Sequence, residues 1–360
     1  MLPSEFAHHM LKEIFEEPTV VRKTTEGELE STRQVAQEIK SKGYEIVYIT
    51  GSGTSYHAGM ASQYALSNLT DLMTSIIPAS EFQRWVPARF QKKVLLMAIS
   101  QSGESLDVLE AVEVALKRNM DVLAVTNTAG SSLARKSKYL IRPRSHREVA
   151  IPATKTYVTQ LASIFMLSVE LAHPPTATEE IIYLKEGLNK APLLLEQTLR
   201  SLGTQIRDLA KSHLRKNFIF LLGSGPNYAT ALEAALKLKE TCTIFAEGFA
   251  AREFLHGPLR LVDERTLVVL IASPDEIDVC LGLSKSLRSF GAPVIFVSES
   301  SPNSARLSEY SDDVILVPAG LPKVFSPMLY IVPLQLFAYY SSVFRGLNPD
   351  KPEKLTKVVK

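Results

Sequence analysis

VLLMAISQSGESLDVLEAVEVALK, residues 94–117, decides how this chain is read. Val94 to Ile99 is an unbroken apolar run of the kind that forms a strand buried on both faces. The run stops at Ser100-Gln101-Ser102-Gly103-Glu104-Ser105. Apolar residues then recur at helical spacing, at Leu106, Leu109, Val112 and Leu116. A strand, a hydroxyl-rich turn and a helix in that order aim backbone N–H groups and the positive end of a helix dipole at an anion. Three serines, a glutamine and a permissive glycine supply short neutral donors, and the turn has no lysine or arginine. The competing reading is a helix start with ordinary serine caps.

Upstream, Glu45 to Thr50 is a second strand, and it ends in Gly51-Ser52-Gly53-Thr54-Ser55 ahead of another helical pattern. Tyr56 stands where a dinucleotide fingerprint needs its third glycine, and no lysine follows as in a Walker A loop. A small phosphoester therefore suits the turn better than a nucleotide. Further along, residues 121–127 and 139–144 read as strands and SSLARKS as a short helix. Glu148-Val-Ala-Ile-Pro-Ala-Thr-Lys155 leads into the apolar helix TYVTQLASIFMLSVELA. Alternating strands and helices predict a parallel sheet covered on both faces, with ligands at the carboxyl ends of the strands. Both hydroxyl turns fall there.

The plan then repeats. Residues 217–238, NFIFLLGSGPNYATALEAALKL, parallel residues 45–66, and 266–272, 293–298 and 314–319 supply the later strands. The expectation is an internally duplicated α/β unit. Its divisions are a helical leader (1–43, broken at Pro18 and stopped at Gly43), a first domain (44–172), a linker around His173-Pro174-Pro175-Thr176 with a long helix (173–214), a second domain (215–347) and a tail (348–360). The copies differ at the turns. Ser273-Pro274-Asp275-Glu276 stands opposite the serine-rich turn, where proline removes a donor and two carboxylates repel phosphate. Only the first copy should hold the anion.

Composition narrows the function classes. With 360 residues, 46% hydrophobic and 22% charged, the chain has the profile of a folded two-domain protein. A net charge of +2 gives no broad footprint for nucleic acid. Cys242 and Cys280 lack metal-ligand spacing. The apolar stretch 324–346 contains Pro327, Pro333 and Gln335 and reads as a buried helix, not a bilayer span. No signal-peptide pattern opens the chain, so a cytoplasmic protein without membrane attachment is expected.

In the second copy, Glu233, Lys237 and Glu240 share one helix face. A surface ion-pair ladder is the plain reading and a catalytic base the sharper one. Residues 246–258 are rich in small and ionisable types, and His256, flanked by Gly257-Pro258, is an acid–base candidate. The tail, DKPEKLTKVVK, reads by default as a frayed, solvated end.

Seven motifs in order (MLKEIFEEP, GSGTSYHAGM, SQSGES, ATKTY, ALKLKE, AEGFAAREFLHGPL and VPLQLFAYY) resemble the isomerase half of glucosamine-6-phosphate synthases across nearly the whole chain. That half is a pair of sugar isomerase (SIS) domains. The resemblance implies two tandem SIS domains, each a parallel sheet sandwiched by helices. It implies that Thr54, Ser55, Ser100, Gln101, Ser102 and Ser105 hold a sugar phosphate. Gly53, Glu148, Ala153, Thr154 and Lys155 would contribute to substrate binding. Glu240 would move a proton between C1 and C2 with Lys237 beside it. His256 would open the sugar ring and reach the neighbouring subunit's site in a homodimer. Lys357 aligns with the tail lysine that forms an imine with fructose 6-phosphate, although Val358, Val359 and Lys360 depart from the family's usual ending.

In the synthases a glutaminase domain begins with a cysteine after the initiator methionine. Leu2 stands there in this chain, so the expectation is an enzyme that does not itself take ammonia from glutamine. Stand-alone SIS-type glucosamine-6-phosphate deaminases have this shape. The reading is therefore a deaminase that converts glucosamine 6-phosphate and water to fructose 6-phosphate and ammonia without metal or redox cofactor. Alternatives are the isomerase subunit of a split synthase, a fructosamine-phosphate deglycase or a plain sugar-phosphate isomerase. A sugar-phosphate sensor would need an output element, and residues 1–43 show none.

Overall fold

The structure, a computed structural model, describes residues 6–172 and 178–358. The 173–176 linker and Val359-Lys360 lie outside the described residues. Two units emerge, and they are not contiguous in sequence. One comprises Glu16–Glu148, Ala153–Pro192 and the tail from Thr356; the other comprises the N-terminal residues to Phe15, Val149–Pro152 and Leu193–Leu355.

In chain order the elements of the first half are α1 (His9–Gly27), α2 (Leu29–Lys42), β1 (Ile46–Gly51), α3 (Thr54–Leu69), β2 (Met73–Pro78), α4 (Phe82–Trp85), β3 (Val94–Ile99), α5 (Leu106–Lys117), β4 (Asp121–Val125), α6 (Ser132–Lys136), β5 (Tyr139–Ile141) and α7 (Lys155–Leu171). The five strands pair in parallel in the order β2-β1-β3-β4-β5. All six residues of β3 are buried because helices cover both faces. Leu95, Met97 and Ile99 pack with Ile49, Leu66 and Ile164, while Leu96 and Ala98 face Phe82, Val108 and Val112. This is the two-residue alternation of a strand used on both sides.

Next come α8 (Thr178–Ser212), β6 (Phe218–Gly223), α9 (Asn227–Cys242), β7 (Phe245–Ala250), β8 (Thr266–Ile271), α10 (Ile277–Ser289), β9 (Val294–Glu299), β10 (Asp313–Val317) and α11 (Pro327–Phe344). Read from the other edge, the second sheet runs β7-β6-β8-β9-β10, again all parallel. Each strand of the first sheet has a counterpart in the same place, so the duplication is one of topology. β8 is fully buried like β3. The apolar stretch expected as a buried helix is α11, and among the described residues no helix is long and apolar enough to cross a membrane.

Sequence reading departs from the fold in three places. Pro18 does not break the leader, since α1 passes through it and the chain turns at Glu28. The hydrogen bond to the Ile14 carbonyl is lost, but Met10, Ile14, Val20 and Val21 are buried and hold the helix. Strands β2 and β7, the same edge of each sheet, are the other two. β2 buries only Ile77 fully, and β7 buries only Ala246 and Gly248, so neither carries the apolar run of a central strand. Gly248 is required where it stands. A Cβ there would lie 2.7 Å from the backbone of Ala231 and Leu232, where α9 crosses the strand.

Candidate active site

The two hydroxyl turns lie side by side because β1 and β3 are paired neighbours, with Thr50 opposite Ala98. Sequence order reverses at this point of the sheet, which opens a crevice at the carboxyl ends. Ser105 flanks the start of α5 but makes no side-chain capping bond, and neither does Gly53 at the start of α3. The ordinary serine-cap reading is thereby set aside. The turn is rigid: Ser100 Oγ accepts from Gly103 N at 3.1 Å, Ser102 Oγ from Glu104 N at 3.2 Å, and Gln101 O from Thr126 Oγ1 at 3.2 Å. Gly103 has φ of 67°, and a Cβ there would collide with Ser131. Two helix N-termini without their own caps, ringed by Thr54, Ser55, Gln101, Ser102 and Ser105, can bind a phosphate through neutral donors.

Gln160 was not singled out from sequence. It is fully buried in α7, and its Nε2 donates to Ser55 Oγ at 3.0 Å, fixing that hydroxyl. A polar residue inside an otherwise apolar helical run was the available signal. At the start of the same helix, Glu148 Oε1 accepts from the backbone N–H groups of Thr154 (2.9 Å) and Thr156 (3.1 Å). Its Oε2 lies 2.7 Å from Lys357 Nζ. Burial opposes the charge on Glu148, but Lys357 and the two amides overcome it and lower its pKa. The Glu148 side chain is fully buried and that of Lys357 only 25% exposed, so the tail is not a frayed end at Lys357. About 6 Å of helix separates Thr156 from Gln160. Lys357 and the phosphate turns are thus tied to successive turns of one helix. Ala153 is partly exposed beside this helix start. Lys155, at the first position of the helix, has protein partners. Its ammonium is buried against Glu16 (2.7 Å) and the Arg147 carbonyl (2.9 Å), where it anchors α1 to α7.

In the other unit, α9 carries the ionic cluster. Lys237 Nζ lies 3.2 Å from Glu233 Oε1 and 2.6 Å from Glu240 Oε2. The Lys237 and Glu233 side chains are fully buried and that of Glu240 is 19% exposed, so the surface-ladder reading is overturned. Burial pushes the Lys237 pKa down, and the two carboxylates more than offset it and hold it above the ordinary lysine range. Of these three side chains, that of Glu240 alone is partly exposed. His256 ends a short 3-10 turn (Glu253–Leu255), with its ring exposed beside the exposed Leu255.

The second sheet's counterpart turn satisfies itself. Ser273 and Glu276 form a reciprocal capping box, and Lys323 pairs with Asp275 at 2.7 Å and Glu276 at 3.2 Å. Its donors are already used and its charge is of the wrong sign for phosphate.

Comparison with known proteins agrees with this architecture. The chain is 39% identical over 355 residues to the glutamine–fructose-6-phosphate aminotransferase (isomerizing) of Methanothermobacter thermautotrophicus, a match covering 98% of this chain and 58% of that protein. The chain thus spans somewhat over half the length of that curated relative. Among solved structures it resembles the C-terminal domain of glucosamine-fructose-6-phosphate aminotransferase from Francisella tularensis (TM-score 0.88, 27% identity, 98% of this chain and 100% of that one). It also resembles glucosamine-6-phosphate deaminase from Thermotoga maritima (TM-score 0.78, 26% identity, 98% and 99%). The SIS domain family model matches residues 45–169 and 214–345, one stretch for each sheet, and the chain belongs to the SIS domain family.

Proposed function

We propose that this protein is an amino-sugar-phosphate isomerase that interconverts fructose 6-phosphate plus ammonia and glucosamine 6-phosphate plus water. The observation that carries the reading is the partly exposed Glu240 side chain, whose carboxylate lies 2.6 Å from the fully buried Lys237 ammonium. The phosphate docks on the Ser100–Ser105 and Gly53–Ser55 turns, giving binding energy remote from the reacting carbons. His256 transfers the proton that opens the ring. In this reading Lys357, paired with Glu148, forms an imine with the ketose carbonyl, which ammonia displaces. Glu240 then carries a proton between C1 and C2, converting ketose imine to aldose amine or the reverse.

Identity to the isomerizing aminotransferase favours the synthetic direction, with ammonia supplied by a glutaminase. The Thermotoga deaminase, matched over nearly its whole length, favours the hydrolytic direction as the second reading. The active form is a homodimer in which the exposed His256 reaches the neighbouring copy. The test uses purified protein without glutamine. Glucosamine 6-phosphate is offered in one arm, and fructose 6-phosphate with an ammonium salt in the other. Deuterium entry at C1 or C2 in D2O is followed by NMR. Release of ammonia and fructose 6-phosphate in equal amounts supports the deaminase. Amination in the second arm, without net deamination, supports the synthase type. No exchange in either arm refutes the function.

A further inference from the structure

At the end of the first sheet opposite the phosphate turns is a cleft of ≈ 470 Å³. That volume falls in the range of small-molecule sites. Arg89, Phe90 and Lys92 line one wall from the segment ahead of β3, and Lys117, Arg118 and Asn119 line the other from the end of α5. None of the nine lining residues is acidic. The acidic groups nearby are already engaged. Glu45 pairs with Lys92 at 2.9 Å, and Glu113, one turn before Lys117, pairs with Lys136.

Arg118 donates Nη1–H to the Val86 carbonyl at 2.7 Å and Nη2–H to the Gln83 carbonyl at 3.0 Å. Two of its five N–H groups are thereby used, and the guanidinium is fixed in place with three remaining. A helix C-terminus accounts for Lys117 and Arg118 through its dipole. It does not account for Arg89, which comes from a non-helical segment and lines the same cleft.

We infer that this cleft is a second anion site that binds a diphosphate group. Cations contributed by two separate segments and a volume well beyond that of one phosphate call for two linked phosphates. A basic concavity in a chain of net charge +2 suits a small polyanion, not a nucleic-acid backbone. The site is separate from the substrate turns. β3 runs from Val94 at the cleft to Ile99 at the Ser100 turn, five steps or roughly 17 Å. β3 and α5 each touch both places, so occupancy of the cleft bears on the elements that hold the phosphate turn.

Trp85, the single tryptophan, is 64% exposed and adjoins the Val86 carbonyl held by Arg118, which makes it a built-in reporter. Inorganic pyrophosphate, ADP and orthophosphate are titrated at millimolar concentrations into the full chain, read by tryptophan fluorescence and calorimetry. The expected result is saturable pyrophosphate binding, one per chain. The Arg89→Ala/Lys117→Ala variant should weaken it about tenfold or more, and Ser102→Ala/Ser105→Ala should leave it intact. Equal affinity for ADP assigns the diphosphate alone, whereas tighter ADP assigns a nucleotide; both support the site. Orthophosphate binding as tightly as pyrophosphate in the serine variant, loss of pyrophosphate binding in that variant, or no effect of the arginine–lysine variant overturns it. Arg89 and Lys117 are exposed, so their replacement leaves the fold in place.

Discussion

Replacing Lys237 by methionine separates the structural role of the buried cluster from its chemistry. The substitution keeps the length of the side chain and removes the ammonium. Glu233, fully buried, then loses its cation while Glu240 remains close by. Removing one partner from a buried ionic cluster in this way costs about 3–5 kcal/mol. In a unit of this size each kcal/mol lowers Tm by about 2–4 °C, so a drop of roughly 10 °C is expected. Glu240→Gln behaves differently. It leaves the Glu233–Lys237 contact in place and alters a side chain that is partly solvated, so stability should fall by less than in Lys237→Met. Removal of a general base should nevertheless slow proton exchange at C1 and C2 by about 10²–10⁴-fold. Calorimetric melting of both variants, with deuterium exchange into the sugar phosphate, reads the two effects separately. A Lys237→Met protein that melts with the wild type, or a Glu240→Gln protein that still exchanges at the wild-type rate, would falsify this reasoning.

Other consequences follow from the same geometry. The Glu148 carboxyl titrates below its ordinary 4.5 in the folded chain, so the Lys357–Glu148 pair contributes stability that is fully present above that pH and is lost as pH falls through the lowered pKa. The stability gap between wild type and Glu148→Gln, about 2 kcal/mol, should therefore hold from neutral pH to about 4.5 and close below it, as measured by urea unfolding across pH. Burial pushes the thiols of Cys242 and Cys280 up to about 11 and about 12, so neither should react with a thiol reagent at mildly alkaline pH until the protein is unfolded. Gly248→Ala brings a Cβ to 2.7 Å of helix backbone and should lower Tm measurably, whereas Gly130→Ala, with open space around it, should not. Lys155→Met should lower Tm by breaking the buried contact with Glu16 while leaving KM for the sugar phosphate unchanged; a raised KM at unchanged Tm would return Lys155 to the substrate site.

The central strands, the two hydroxyl turns and the duplicated plan were legible in the sequence because each depends on local pattern. A six-residue apolar run bounded by a turn reads as a strand covered on both sides, and a serine-rich break before a helical period fixes where donors point. Edge strands β2 and β7 were not legible, since a strand half exposed at a sheet edge needs little apolar content and is defined by its partner. Pro18 shows the converse, a local breaking signal overruled by burial of the surrounding helix. Ionic side chains were the least legible of all. Glu233, Lys237 and Glu240 share a helix face by spacing alone, but whether that face meets water or protein is set by packing, and packing turns a surface ladder into a buried cluster. Lys155 and Lys357 owe their partners to packing for the same reason. The charge nearer the motif became a structural anchor, while the charge in the tail was drawn onto Glu148 at the start of α7. Sequence by itself determined the elements and the chemistry available at their ends. Tertiary structure decided which charges lost their water, because desolvation depends on neighbours that the chain brings together from more than two hundred residues away.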